Sequence, residues 1–210
     1  MLLVSVPTMA STLYVGGLSD LQALYLTTLN MTATPPNTKD PSWSITVSPC
    51  QWKGVGCDAN GNVTQIAWYS LELGGFPNLA TLPPGLLLMS LNQNGFIGVP
   101  DLTALPPGMQ ELYLGSNQYT GTPNFTMLPA GLQGLYLPYN LLSGTPNLAS
   151  LPAGLLEFDL KGNFFESHLV NWYGTFVPNA QWCFNEPVQA SMCAAGYDAT
   201  FNCSEGRWTC

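Results

Sequence analysis

The chain has 210 residues, enough for one domain with a substantial core, and carries a formal net charge of −8 with only 8% charged residues. Its four basic residues are Lys39, Lys53, Lys161 and Arg207, too few for the basic patches that nucleic acid and anionic membrane surfaces select. No apolar run reaches the roughly 18 residues that a membrane-spanning helix needs.

Residues 1–18 form an apolar lead-in. "MLLVSVPTMA" has no positive flank and is short for a secretory leader, which leaves two readings, a leader remnant or an N-terminal strand. A cap helix is expected from Asp20 to about Asn30, with Ser19 or Asp20 as its N-cap. A loop rich in Thr, Pro and Ser runs to Ser48, and "PCQWKGVGC" then carries the N-terminal unit to residue 58. From 59 to 167 the chain repeats itself. Val63, Leu86, Met109, Leu132 and Leu155 recur every 23 residues, as do Gly75, Gly98, Gly121 and Gly144, and Pro77, Pro100, Pro123 and Pro146. A fixed period of this size marks units that bury a core only by stacking. Within one unit, Leu112, Tyr113 and Leu114 make a short strand of a parallel sheet. Asn117, like Asn94, Asn140 and Asn163, turns inward to bond the backbone groups that the bend leaves unpaired. Glycine then supplies free backbone angles and proline fixes the return path, and Leu105, Leu128 and Leu151 close the far wall. These asparagines read as scaffold. In residues 168–210 the period fails, with Ser167 in place of glycine and Leu169 in place of proline. Trp172, Tyr173, Trp182 and Trp208 are expected to cover the last unit's open core.

The pattern L-x-x-L-x-L-x-x-N-x-x-x-G-x-P, carried by Met109, Leu112, Leu114, Asn117, Gly121 and Pro123, resembles the plant-type leucine-rich repeat. "PCQWKGVGC" resembles the N-terminal cap of such proteins, and "SDLQALYLTTLN" the helix before it, with Trp43 between. Kinetoplastid surface antigens share this architecture, and the compact Leu-Pro-[Pro/Ala]-Gly element is similar to theirs. The resemblance covers about residues 19–167. It implies an α/β solenoid, a right-handed coil of about five 23-residue repeats with a short parallel β-sheet on its concave face and disulfide-bonded caps. The first repeat departs from the pattern, with Leu71 in the asparagine position.

Six cysteines lie at the two ends, which suits staples that seal terminal coils. Cys50–Cys57 is the pairing that follows from the cap resemblance. Cys183, Cys193, Cys203 and Cys210 allow three pairings, and their spacing lacks the close C-x-x-C pairs of zinc sites. Asn30, Asn62, Asn124 and Asn202 begin N-glycosylation sequons, in keeping with a secretory, extracellular route.

The inner sheet face projects three columns. One is Ala67, Ser90, Tyr113, Tyr136 and Asp159; the next is Tyr69, Asn92, Gly115, Pro138 and Lys161; the column before them is Gln65, Leu88, Glu111, Gly134 and Glu157. Tyr113 and Tyr136 are expected about 4.8 Å apart along the sheet. Exposed tyrosines among small neighbours suit recognition, and the competing reading makes them a cross-strand ladder that only stabilises the sheet. The candidate ligand surface is Tyr69, Asn92, Glu111, Tyr113, Tyr136, Tyr139, Glu157 and Asp159, and sequons outside the inner columns leave it bare. The single histidine, His168, reads as a cap residue, and no nucleophile elbow, phosphate loop or zinc-protease motif occurs. Glu111, Glu157 and Asp159 are spaced for glycoside chemistry but have no cleft to work in. The ragged columns also argue against ice binding. No cofactor or metal is expected. Two readings remain: a non-catalytic extracellular recognition or adhesion module that binds a protein or glycan on its concave face, or a structural subunit of a surface coat or filament that binds copies of itself.

Overall fold

The structure, a computed structural model, describes residues 19–28, 30–33, 40–44, 46–166, 181–183, 200–202 and 207–209. The lead-in, His168, Trp172, Tyr173, Cys193, Cys203 and Cys210 lie outside the described residues, as do the side chains of Cys183, Trp182, Asn202 and Trp208.

Helix α1 (Asp20–Thr28) opens the chain. Ala23 N–H donates to the Ser19 carbonyl at 2.9 Å, which puts Ser19 in the cap position. The Asp20 carboxylate accepts instead from the Val63 backbone N–H, 43 residues on. The helix is thereby pinned to the first repeat strand. Among its described side chains Ala23, Leu24, Thr27 and Thr28 are buried.

Strands follow in a strict alternation. They are β1 (Met31–Ala33), β2 (Val55–Cys57), β3 (Val63–Ala67), β4 (Leu73–Gly75), β5 (Leu88–Ser90), β6 (Gly95–Gly98), β7 (Glu111–Tyr113), β8 (Gln118–Gly121), β9 (Gly134–Tyr136), β10 (Leu141–Gly144), β11 (Glu157–Asp159), β12 (Phe164–Phe165), β13 (Gln181–Cys183), β14 (Thr200–Asn202) and β15 (Arg207–Thr209). One sheet runs β2-β3-β5-β7-β9-β11-β13 and the other β1-β4-β6-β8-β10-β12, while β14 and β15 pair with each other. All pairs within the repeats are parallel; β2 on β3 and β1 on β4 run antiparallel at the N-terminal end, and β14 and β15 also pair antiparallel. The expected concave sheet is present, and the segment leading into each Gly-x-Pro, expected to be a corner, forms a second sheet. The two are registered differently. In the first sheet Leu88 pairs with Glu111 and Tyr113 with Tyr136, an offset of one repeat. In the second, Ile97 pairs with Gln118 and Gly98 with Tyr119, 21 residues on.

Between the sheets lies the core. Each coil buries the same inward set, for example Met109, Leu112, Leu114, Tyr119 and Phe125, then Leu132, Leu135, Leu137, Leu142 and Leu148. Each such side chain contributes about 1.5–3 kcal/mol of burial. Phe125 and Phe158 meet edge to face, centroids 5.4 Å apart. Leu82, Leu105, Leu128 and Leu151 enter the far wall, followed each time by a turn closed from the residue after glycine to the first residue after leucine, as Met109 N–H to the Pro106 carbonyl at 3.0 Å. At the N-terminal end Cys50 and Cys57 are bonded, and the indoles of Trp43 and Trp68, 4.4 Å apart, both donate to the Lys53 carbonyl.

The asparagines hold successive coils together. Asn117 Nδ2 reaches the carbonyls of Leu91, Leu114 and Gly115 at 3.0–3.2 Å, and its Oδ1 accepts from Phe96 N–H at 3.1 Å. Asn140 and Asn163 repeat this pattern one and two coils further. Asn94 serves the first repeat, where asparagine is missing, by accepting from both Leu71 and Leu73 N–H. The glycines at the end of the second-sheet strands have φ of 72–84°, and a side chain at Gly121 would meet Val99 at 2.6 Å.

Two stability outcomes follow from these placements. Asn117→Ala leaves the buried Phe96 N–H without its partner and takes one of two donors from each of the Leu91, Leu114 and Gly115 carbonyls, and is expected to destabilise by roughly 1–3 kcal/mol in chemical denaturation. Tyr119 is fully buried, and its hydroxyl has no partner among the described residues. Tyr119→Phe is therefore expected to stabilise the chain by about 1 kcal/mol; a loss of stability would show that the hydroxyl is satisfied.

Candidate functional site

The first sheet has one face in the core and one open. Along strands β5, β7, β9 and β11 the middle residue is buried and its neighbours point outward, so Ser90, Tyr113, Tyr136 and Asp159 line up across the open face. The backbone ladder continues two residues further, through Ser70 N–H to the Asn92 carbonyl and Tyr139 N–H to the Lys161 carbonyl. It closes in a left-handed residue in each coil, Ser70, Gln93, Ser116 and Tyr139, all with φ of 53–56°. Non-glycine residues rarely adopt that conformation. The column is therefore built by the winding rather than by local preference.

Tyr113 and Tyr136 stack face to face, their rings 4.3 Å apart and 2° from parallel. Each hydroxyl donates to a carboxylate at 2.6 Å, Tyr113 to Glu111 Oε2 and Tyr136 to Glu157 Oε2. Gly134 makes this possible. A Cβ there would stand 2.8 Å from the Tyr136 ring and 2.9 Å from its hydroxyl, so only glycine lets the phenol lie across the strand between the two glutamates. Burial, and then donation to Glu111, push the Tyr113 hydroxyl up from 10.0 to about 12. The Tyr136 hydroxyl is likewise raised, by burial first and by donation to Glu157 next. Both phenols thus remain proton donors across the physiological range.

Beside this pair the face hollows into an open groove of about 520 Å³, lined by Tyr69, Asn92, Tyr113, Tyr139 and Asp159 among others. Five of the eight predicted binding residues meet there. Glu111, Tyr136 and Glu157 form the hydrogen-bonded shoulder next to it. Asn92 is partly committed to the scaffold, since its Oδ1 accepts from Gly115 N–H at 2.7 Å. Lys161 was visible in its column but was not among the predicted site residues. Its ammonium lies 5.5 Å from the Tyr139 ring centroid and 3.9 Å from the Asp159 carboxylate. Burial raises the Asp159 pKa, opposed by the Lys161 backbone N–H and then by its charge. Gly134 was the other omission, and its signal was the lone glycine between two glutamates in one column. Asn62 and Asn124 are exposed and do not line the groove. Asn124 also has a structural part, accepting from Thr126 N–H and hydroxyl, as Asn78 and Asn147 accept two residues on in their coils. Among the described residues no group of three His, Cys, Asp or Glu side chains could hold a metal ion.

Residues 18–58 match the family model described as leucine rich repeat N-terminal domain. Over 60 residues the chain is 42% identical to Receptor-like protein kinase 5 of Arabidopsis thaliana, a segment covering 27% of this chain and 6% of that protein. A probable leucine-rich repeat receptor-like protein kinase of the same plant is 38% identical over 69 residues, 32% of this chain and 10% of its own length. The chain thus spans about a tenth or less of these two relatives. Among solved structures, Pollen Receptor Kinase 3 superposes with a TM-score of 0.56 at 22% identity, covering 78% of this chain and 91% of that one. The ectodomain of the receptor kinase SOBIR1 from Arabidopsis thaliana superposes at 0.52 with 22% identity, covering 79% and 90%. The fold is that of a leucine-rich repeat ectodomain. Its N-terminal cap is of the plant type, and no described helix is long and apolar enough to cross a membrane.

The phenols give this solenoid a pH signature. Because their folded pKa values are raised, their contribution to stability is fully present below pH 10.0 and is lost as pH climbs through about 12, where the unfolded chain gives up its protons first. Denaturation midpoints are expected to fall steeply across that interval, and less steeply in a Tyr113→Phe, Tyr136→Phe double variant.

Proposed function

We propose that this chain is a non-catalytic recognition module of the extracellular space, binding a protein, peptide or glycan on the open face of the first sheet. The observation that carries the reading is the stacked Tyr113–Tyr136 pair, held rigid by two carboxylates at the side of an open groove. Aromatic groups fixed in advance lose little entropy on binding and dominate interface energetics. In this reading residues 1–58 and 168–210 cap the repeats at 59–167, the four C-terminal cysteines are paired, and Asn30, Asn62, Asn124 and Asn202 carry glycans that leave the groove clear. Solved ectodomains of like fold lend support: HAESA was crystallised with the peptide hormone IDA and the co-receptor SERK1 (TM-score 0.51, 24% identity, covering 80% of this chain and 35% of that one). The compact Leu-Pro-Pro-Gly turn supports the narrower likeness to kinetoplastid surface antigens.

The test is a capture screen of secreted proteins, peptides and glycans on the purified glycosylated chain, followed by the Tyr113→Ala, Tyr136→Ala double variant. Binding is expected to fall by at least tenfold, roughly 1.4 kcal/mol, while the thermal unfolding profile stays cooperative. Unchanged binding by a folded variant would overturn the reading.

A further inference from the structure

The tyrosine ladder on the open sheet stops one rung short. Tyr136 covers one face of the Tyr113 ring, with the two rings parallel to within 2°. The opposite face looks toward the next strand, where Ser90 pairs with Tyr113 in register. Serine is too small to cover a phenol ring, and the position beyond it is Ala67, in register with Ser90. The free face of Tyr113 therefore forms a wall of the groove, while Tyr136 does not line it at all. Above Ser90 the groove is open.

The charge beside that vacancy is negative. Glu111 is hydrogen-bonded to Tyr113 itself, while Glu157 and Asp159 stand on β11, three strands from Ser90. Lys161, the one basic side chain lining the groove among the described residues, is already placed between Asp159 and the Tyr139 ring. That contact is an internal case of the same chemistry, a cation held by a tyrosine face with a carboxylate beside it. Lys161 stands on the β11 side, so among the described residues the Tyr113 end of the groove has the Glu111 carboxylate and no cation, in a chain whose net charge is −8. A flat group that stacks on an aromatic face and also answers a carboxylate is a guanidinium.

We infer that the groove takes an arginine side chain of a peptide or protein partner, its guanidinium stacked on the free face of Tyr113 above Ser90 and beside Glu111. The inference rests on the recognition reading and adds the chemistry of what is recognised. Arginine is favoured over lysine because a planar group matches the missing rung, and over a neutral aromatic because the Glu111 carboxylate stands beside it.

Pools of short random peptides with one fixed central residue (arginine, lysine, tyrosine or glutamate) distinguish the outcomes when titrated into the full chain, with NMR signals of Tyr113, Ser90 and Ala67 as readout. The arginine pool is expected to move these signals at the lowest concentration, with apparent affinity weakened about tenfold by Glu111→Gln or by raised salt. Ser90→Tyr, which fills the rung from within, is expected to abolish the shifts without unfolding the chain. Tyrosine or glutamate pools that bind there as well as arginine would overturn the inference and leave the recognition reading standing. If no pool of any composition moves a residue of the open face, the inference fails, while the recognition reading stands or falls by the capture screen. Ser90→Tyr binding arginine as wild type would overturn the placement on Tyr113.

Discussion

A buried amide that serves two coils at once is the constraint on which the rest depends. Each coil must bend sharply after a three-residue strand, and the bend strands several backbone groups inside an apolar core. One asparagine meets them, donating to three carbonyls and accepting one N–H, and the groups it serves belong to its own coil and to the one before. No coil is therefore satisfied alone. The stacking that buries leucine and the bonding that spares the backbone are one event, which is why the units fold as an array. The same bend forces four non-glycine residues into left-handed conformations at the groove's edge, so the geometry of the open face is inherited from the interior.

The groove depends on two small residues as much as on its large ones. Gly134 lets the Tyr136 ring cross its own strand to reach Glu157, and Ser90 leaves the other side of the pair uncovered. With a larger residue at either place, the tyrosines would be a sheet-stabilising ladder with no surface to offer. The stacked pair is the ladder of one reading, and the groove beside Tyr113 is the opening that the binding-face reading requires.

Much of this was legible in the residues because a period of 23 is a statement about space. It placed Tyr113 over Tyr136 and set Asn117 at a bend, while the pairing of Cys50 with Cys57 followed from the cap resemblance. What escaped was set by contacts that a period does not encode. The second sheet was hidden because Gln118–Gly121 combines a polar start with a glycine end, and its strand character comes from pairing with neighbouring coils. Asp20 was read as a possible helix cap, whereas its partner is Val63, a contact that depends on how α1 docks. Lys161 was passed over because its two partners, Asp159 and Tyr139, become neighbours only when the left-handed turn swings Tyr139 back across the coil.

The unequal register of the two sheets separates what each can display. On the first sheet, residues equivalent in the repeat stand directly side by side, so like side chains can touch, as the 4.3 Å tyrosine stack does. In the second, partners are 21 residues apart, and equivalent residues slide past one another by two positions, about 6.6 Å of strand. Phe96 and Tyr119, equivalent in the repeat, are accordingly 6.4 Å apart. A row of identical groups at molecular contact can therefore be drawn on only one side of this molecule, and adding a coil by duplication would lengthen that row while leaving the other side a staircase.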